Sequence, residues 1–208
     1  MTKIKYILFD MDGVLIDAKE WHYEALNEAL NIFGKQISRY DHLTVFDGKP
    51  TKDKLSMLSK VGEIPVELHQ IINQMKQKYT MRKIFNLCKS NFTHQRTLSK
   101  LKSQGIKMAV CSNSIRNSVE FMLKNAGIIE YFEFFISNED VNKGKPDPEM
   151  YLNAMTKFNA KPDECLILED NENGIKAAIA SGAHLLQIFE VTDVNYENII
   201  NKINNLEK

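Results

Sequence analysis

Four short apolar runs constrain this chain most: KYILF at 5–9, KMAVCS at 107–112, FEFFIS at 132–137 and CLILE at 165–169. Each ends at a polar cluster, helix-like segments separate them, and a weaker fifth run, HLLQIF, follows at 184–189. Strand and helix in alternation build a parallel sheet with crossover helices. The near-continuous hydrophobicity of the runs fits strands covered on both faces. The expected fold class is therefore α/β, with a Rossmann-like parallel sheet as its core.

The intervening segments carry helix signals. Thr93 can cap a helix with Leu98 and Leu101 inward, ending at Gly105. Ser114 can cap one that buries Val119, Met122, Leu123 and Ala126 before Gly127. Pro148 suits the first turn of a helix presenting Tyr151, Leu152, Met155 and Phe158. Ile199, Ile200, Ile203 and Leu206 mark a last helix docked on the sheet.

One interval breaks the rhythm. About 90 residues between Asp12 and Ile106 contain no convincing strand, far more than one crossover needs. They read as helical, with Trp21, Ala25, Ala29, Leu30 and Phe33 in one helix and Val66, Ile71, Ile72, Met75 and Tyr79 in another after Pro65. Residues 17–84 are thus expected to form an inserted all-helical cap, with 1–16 and 85–208 as the core. A chain of 208 residues can hold both units without disulfides.

The 27 basic and 27 acidic residues cancel, so no global charge bias points to nucleic acid or to an anionic membrane. Cys88, Cys111 and Cys165 are odd in number and widely spaced, which argues against a disulfide framework or a zinc site and for a reducing, cytoplasmic setting. No stretch approaches the roughly 20 apolar residues of a membrane span, and the N-terminal apolar run is too short for a signal peptide.

The first strand ends in FDMDGV. Side chains two apart on a strand share a face, so Asp10 and Asp12 can enter one crevice, and crevices at the carboxyl ends of parallel strands bind ligands. Two adjacent carboxylates repel and require a cation, a shared proton or both; a hard divalent ion such as Mg2+ suits oxygen ligands. Standing alone, the motif is equally compatible with a solvated acidic turn. The other strand ends add Ser112 and Asn113 beside helix-starting amides, Lys145 in NKGKPDPE, and Glu169 with Asp170.

Taken in order, spacing and flanking residues, FDMDGVLID, CSNS, GKPDPEMY and LEDNENGIKAAIASGA resemble the four signature motifs of the haloacid dehalogenase superfamily. The resemblance covers about two thirds of the chain and is closest to the branch of β-phosphoglucomutase and small sugar-phosphate phosphatases, which carry a helical cap after the first motif. It implies that Asp10 is a nucleophile forming an aspartyl phosphate and that Asp12 is the general acid and base. It also implies a Mg2+ site built from Asp10, the Asp12 backbone carbonyl, Asp170, and Glu169 through water, with Ser112 and Lys145 binding phosphate. An aspartate of ordinary pKa, about 3.9, is protonated about one time in a thousand at pH 7, so Asp12 would need its pKa raised.

Specificity falls to the cap. Between Thr51 and Lys83, Lys52, Lys54, Lys60, Lys76, Lys78, Arg82 and Lys83 stand against Asp53, Glu63 and Glu67, a local positive excess that would attract anionic substrates. Lys52, after FDGKPT, and His22, which matches a cap-hinge histidine of the mutase branch, join Asn113 as candidate substrate-binding residues. A mutase needs a second phosphate grip. The family's lysine after the second motif is here Ile115, with Arg116 beside it, and the cap-loop arginine is Lys52. The expected function is a Mg2+-dependent phosphatase acting on a small phosphorylated metabolite, a sugar phosphate in particular, working as a monomer or weak homodimer. A phosphosugar mutase and a non-catalytic metal-binding regulator are the alternatives.

Overall fold

The computed structural model describes residues 3–207. Five strands, β1 (Tyr6–Phe9), β2 (Lys107–Cys111), β3 (Phe134–Ile136), β4 (Cys165–Glu169) and β5 (His184–Gln187), form one sheet in the order β3-β2-β1-β4-β5. All its pairings are parallel, and Phe9 sits level with Val110 on one side and Leu168 on the other. The five apolar runs are the five strands. The central three are almost wholly buried and the edge strands β3 and β5 are partly exposed, which is why HLLQIF is the least apolar run.

Alternation along the strands divides the core. Ile7, Phe9, Met108, Val110, Leu166 and Leu168 pack on one face against α5 (Phe92–Ser103), α6 (Arg116–Asn125) and α9 (Tyr196–Leu206). On the other face Leu8, Ala109, Cys111, Cys165 and Ile167 meet α7 (Glu149–Phe158) and α8 (Glu172–Ala180). Fully burying a side chain such as Leu98 or Ile199 contributes about 1.5–3 kcal/mol.

Between β1 and β2 lie α1 (Lys19–Asn31), a single turn α2 (Arg39–Asp41), α3 (Thr51–Lys60) and α4 (His69–Leu87). Their inner faces make a third apolar cluster around Leu26, Leu30, Leu55 and Ile72. The Asn27 side chain accepts from the Ile37 amide at 2.8 Å and donates to its carbonyl at 2.9 Å, which ties down the segment after α1.

Several local expectations are corrected. Asn91, not Thr93, caps α5, since its side chain accepts from the amides of Thr93 and His94. Ser114 caps nothing: α6 starts after Ile115, and the Ser114 hydroxyl turns to Asp12 instead. Phe33 lies past the end of α1, Leu152 is exposed, and the buried stripe of α4 is Ile72, Lys76, Thr80 and Ile84, leaving Val66 and Ile71 in solvent. Helix α3 buries Lys54 beside Leu55, where the sequence shows its lysines only as a basic stretch.

The three cysteines are free and buried; burial pushes the Cys88 thiol up to about 11 and those of Cys111 and Cys165 up to about 12. The folded protein should therefore resist thiol alkylation at pH 8 and take up three equivalents once unfolded in guanidinium, counted by mass spectrometry.

Candidate active site

The carboxyl ends of β1, β2 and β4 and the loop after β3 bring Asp10, Asp12, Ser112, Lys145, Glu169 and Asp170 together beneath the cap. Asp10 follows β1 directly, with its amide on the Leu168 carbonyl at 3.0 Å. Its carboxylate accepts from Lys145 Nζ at 2.6 Å, and the same ammonium donates to Glu169 Oε1 at 2.5 Å and to the Cys111 carbonyl at 2.7 Å. All three protons of Lys145 are thus committed, and it presents charge to the cavity rather than a spare donor. Burial alone would depress this lysine, but the carboxylates of Asp10 and Glu169 hold it above its usual value, so it stays an ammonium. Glu169 Oε1 also accepts from the buried Tyr151 hydroxyl at 2.5 Å.

Burial pushes the Asp10 carboxyl well above the usual range, the Glu169 charge pushes it further, and Lys145 pulls it back. Asp170 is also raised by burial, against the pull of Lys19, whose Nζ lies 2.5 Å from Asp170 Oδ2. Side-chain oxygens of Asp10, Glu169 and Asp170 come within 4.8 Å of one another. Three hard oxygen donors, two of them held above their normal pKa by burial and mutual repulsion, fit a divalent cation such as Mg2+. Two glycines permit this packing. Gly13, at φ +95°, passes so close to Asp170 that a Cβ would lie 2.1 Å from Oδ2, and a Cβ on Gly174 would lie 2.0 Å from the Glu169 carboxyl.

Asp12 lies outside that acidic cluster and is bonded to other partners. Its Oδ2 accepts from Ser114 Oγ at 2.9 Å and from Ser112 Oγ at 3.4 Å, while its Oδ1 meets His22 Nε2 at 3.0 Å. On the far side of the ring, Lys76 Nζ lies 3.1 Å from His22 Nδ1. An ammonium can only donate, so Nδ1 accepts and Nε2 carries the proton given to Asp12; burial and Lys76 lower the His22 pKa in keeping with a neutral ring. Burial pushes the Asp12 carboxyl up, but His22, Ser114 and Lys76 together hold it below the usual range. This is opposite to the rise expected from the neighbouring acids, because Asp12 is surrounded by donors that sequence spacing could not reveal.

Two core side chains bond main-chain carbonyls of the cap loop at the edge of the crevice. Asn113 Nδ2 donates to the Gly48 carbonyl at 3.1 Å and to the Lys145 carbonyl at 3.2 Å, and its Oδ1 accepts from the Lys145 amide at 3.0 Å. Asn173 donates to the Asp47 carbonyl at 3.3 Å. Asn113 therefore links the cap loop to the lysine loop. The cavity, partly open to solvent, is lined by Asp10, Asp12, His22, Asn113, Ser114 and Lys145 from these elements, with Lys52, Lys54 and Lys76 from α3 and α4.

Lys52 is exposed at the cavity's edge, whereas Lys54 and Lys76 are buried, and burial lowers each to about 8. A sequence signal existed for Lys76, a lysine on an i, i+4 stripe with Ile72, Thr80 and Ile84; none existed for Lys54 or for Lys19. Ile115 lines the cavity, while Arg116 pairs with Asp140 and stacks on Phe135, outside it.

A parallel α/β core with acidic motifs at its strand ends and a helical insertion after β1 defines a haloacid dehalogenase-type protein. The model for haloacid dehalogenase-like hydrolases matches residues 7–188, and the chain belongs to that family. It is 28% identical to a phosphorylated carbohydrates phosphatase of Thermotoga maritima, over 85% of this chain and 81% of that one. It is 30% identical to the pyrophosphatase PpaX of Bacillus cereus, over 83% and 77% of the two chains. Its fold matches that of a β-phosphoglucomutase from Clostridium difficile with a TM-score of 0.84 at 23% identity, covering 97% of this chain and 98% of the other.

Proposed function

We propose that the protein is a Mg2+-dependent phosphatase that hydrolyses a small phosphorylated metabolite, a sugar phosphate in particular, through an aspartyl phosphate on Asp10. The observation that carries this reading is the division of labour between the two aspartates of FDMDGV. Asp10 is buried against Lys145 among the acids, and Asp12 is turned to hydrogen-bonding partners across the same cavity. An Asp10 oxygen attacks phosphorus, the bond to the leaving oxygen breaks, and Asp12 gives that oxygen its proton. Asp12 then takes a proton from water, whose oxygen attacks phosphorus, and the bond to Asp10 breaks to release inorganic phosphate. His22, Ser114 and Lys76 hold the Asp12 carboxyl below its usual range, and the negative charge of a phosphoryl group beside it would act in the opposite direction, toward the protonated form the acid step needs. Mg2+ would be held by Asp10, the Asp12 backbone carbonyl and Asp170, with Glu169 through water, and would supply positive charge easing repulsion between carboxylates and phosphoryl oxygens.

We take residues 17–84 as the cap and 1–16 with 85–208 as the core; the separate apolar cluster around Leu26 and Ile72 supports the division, although α4 runs on to Leu87 and buries Ile84 in the core. The position of Ile115 and the pairing of Arg116 with Asp140 favour hydrolysis over a mutase reaction. Three free, buried thiols suit the reducing cytoplasm, and we read the protein as a monomer or weak homodimer. Among the described residues no helix is long and apolar enough to cross a membrane.

Phosphate release from a panel of sugar phosphates, with Mg2+ or with EDTA, tests the reading. Release confined to the Mg2+ arm is expected; isomerisation that depends on a bisphosphate activator would establish the mutase instead, and silence on a broad panel the regulator. A second measurement addresses Lys19. Its ammonium holds a carboxylate oxygen of Asp170, so Lys19→Met should tighten Mg2+ binding in calorimetric titration roughly fivefold, about 1 kcal/mol. Unchanged or weaker binding would show that Lys19 orients Asp170 instead of competing for it.

A further inference from the structure

Glu169 is wholly buried, and what its carboxylate bonds to can be followed oxygen by oxygen. Each oxygen carries two lone pairs. Oε1 accepts from Lys145 Nζ at 2.5 Å and from the Tyr151 hydroxyl at 2.5 Å, and Oε2 accepts from the Asp170 amide at 3.2 Å. Among the described residues this leaves one acceptor site, on Oε2. Lys145 by itself holds Oε1 poorly, because its ammonium is shared with Asp10 and the Cys111 carbonyl, and a carboxylate tied by one bond can swing about it. The Tyr151 hydroxyl supplies the second tie. It stands on α7, where the ring is buried in one cluster with Met150, Ala154 and Met155, so core packing fixes where the hydroxyl points. Lys145 Nζ also lies 4.9 Å from the centre of the Tyr151 ring, so the same side chain supports the ammonium that shares Oε1.

We propose that Tyr151 is a positioning residue for the metal site: its hydroxyl, by filling Oε1 together with Lys145, fixes the Glu169 carboxylate so that the one open site on Oε2 is kept for a water of the bound Mg2+. The sequence shows Tyr151 only as part of an apolar helix face, and its ring does pack there; the hydroxyl is what reaches past the core to the strand end. Partners that orient a metal-site carboxylate without touching the metal govern affinity nearly as strongly as the ligands do. This inference rests on the reading of Asp10, Glu169 and Asp170 as a Mg2+ site. It adds that the site's affinity depends on a residue that touches neither metal nor substrate.

The test is calorimetric titration of Mg2+ into the unaltered protein and into Tyr151→Phe, which keeps the ring and removes the hydroxyl. The variant should bind Mg2+ roughly tenfold more weakly. Should Tyr151→Phe melt too low to titrate, the measurement is made at reduced temperature in sucrose, which favours the folded state. Melting in EDTA and in Mg2+ separates positioning from stability: a purely structural hydroxyl lowers both melting temperatures equally, whereas a positioning one also shrinks the rise that Mg2+ produces. Because Tyr151 acts through Glu169, adding Tyr151→Phe to Glu169→Gln should weaken Mg2+ binding by less than about twofold more. With p-nitrophenyl phosphate, the Mg2+ concentration giving half the maximal rate should rise by the same roughly tenfold factor, while kcat at saturating Mg2+ stays within about threefold. An unchanged Mg2+ affinity in Tyr151→Phe, an undiminished loss in the Glu169→Gln background, or a fall in kcat that added Mg2+ does not restore overturns the proposal and leaves the metal site standing. If the unaltered protein itself binds no Mg2+, the metal-site reading has failed and the proposal falls with it.

Discussion

Asp10→Asn should abolish phosphate release while leaving the protein as stable as before or more so. The amide is nearly isosteric but cannot attack phosphorus, and removal of a covalent nucleophile costs on the order of 10⁴-fold or more in kcat. Stability moves the other way because the Asp10 carboxylate is strained where it lies: burial and the Glu169 charge raise its pKa well above the usual range. An amide loses that repulsion, and Lys145 keeps Glu169 and the Cys111 carbonyl as partners. Thermal melting in EDTA beside a phosphate-release assay reads both effects. Activity within tenfold of the unaltered protein would rule out Asp10 as the nucleophile, and a large fall in melting temperature would show that its charge holds the fold together.

Lys145→Ala should be the most destabilising single change at the site. It leaves Asp10 and Glu169 buried with no counter-charge, a loss of about 3–5 kcal/mol, which for a chain of this size lowers Tm by roughly 10 °C. The effect should depend on pH, with a sign that follows from Asp10. Its carboxyl is already raised in the folded protein and rises further without Lys145, so the folded state holds a proton that the unfolded state gives up. The penalty is absent below the ordinary carboxylate pKa, grows as pH climbs through it, and is complete above the raised folded value. Urea denaturation of both proteins in EDTA from acid to neutral pH should show the difference widening toward pH 7; a constant difference would mean that lost packing, not charge, is responsible.

The elements most legible in the sequence were those whose signal is local and repeated. Each strand is a short apolar run because both faces of a parallel strand meet helices, and CLILE shows this with all five residues buried. The strand ends were legible for the same reason: once the runs are aligned in a parallel sheet, Asp10, Ser112, Glu169 and Asp170 must fall on one edge. The weaker signals failed where two residues could do one job. Asn91 and Thr93 are both competent caps, and only the chain's approach to α5 selects Asn91. Ser112 and Ser114 both carry a hydroxyl in CSNS, yet Ser114 makes the closer contact with Asp12, because the turn before α6 aims its side chain back across the crevice.

By itself the sequence determined the parallel sheet, the helical insertion and the edge at which the acids gather, since these follow from periodicity and from the geometry of a strand. The tertiary structure alone decided which basic residues face those acids. Lys54 and Lys52 are two apart on one helix, but the first is buried in the cavity and the second lies in solvent at its edge. A helix's sequence specifies its own faces, whereas the direction each face points is set by how the cap packs on the core, through contacts as distant in sequence as Asn113 to Gly48 and Asn173 to Asp47.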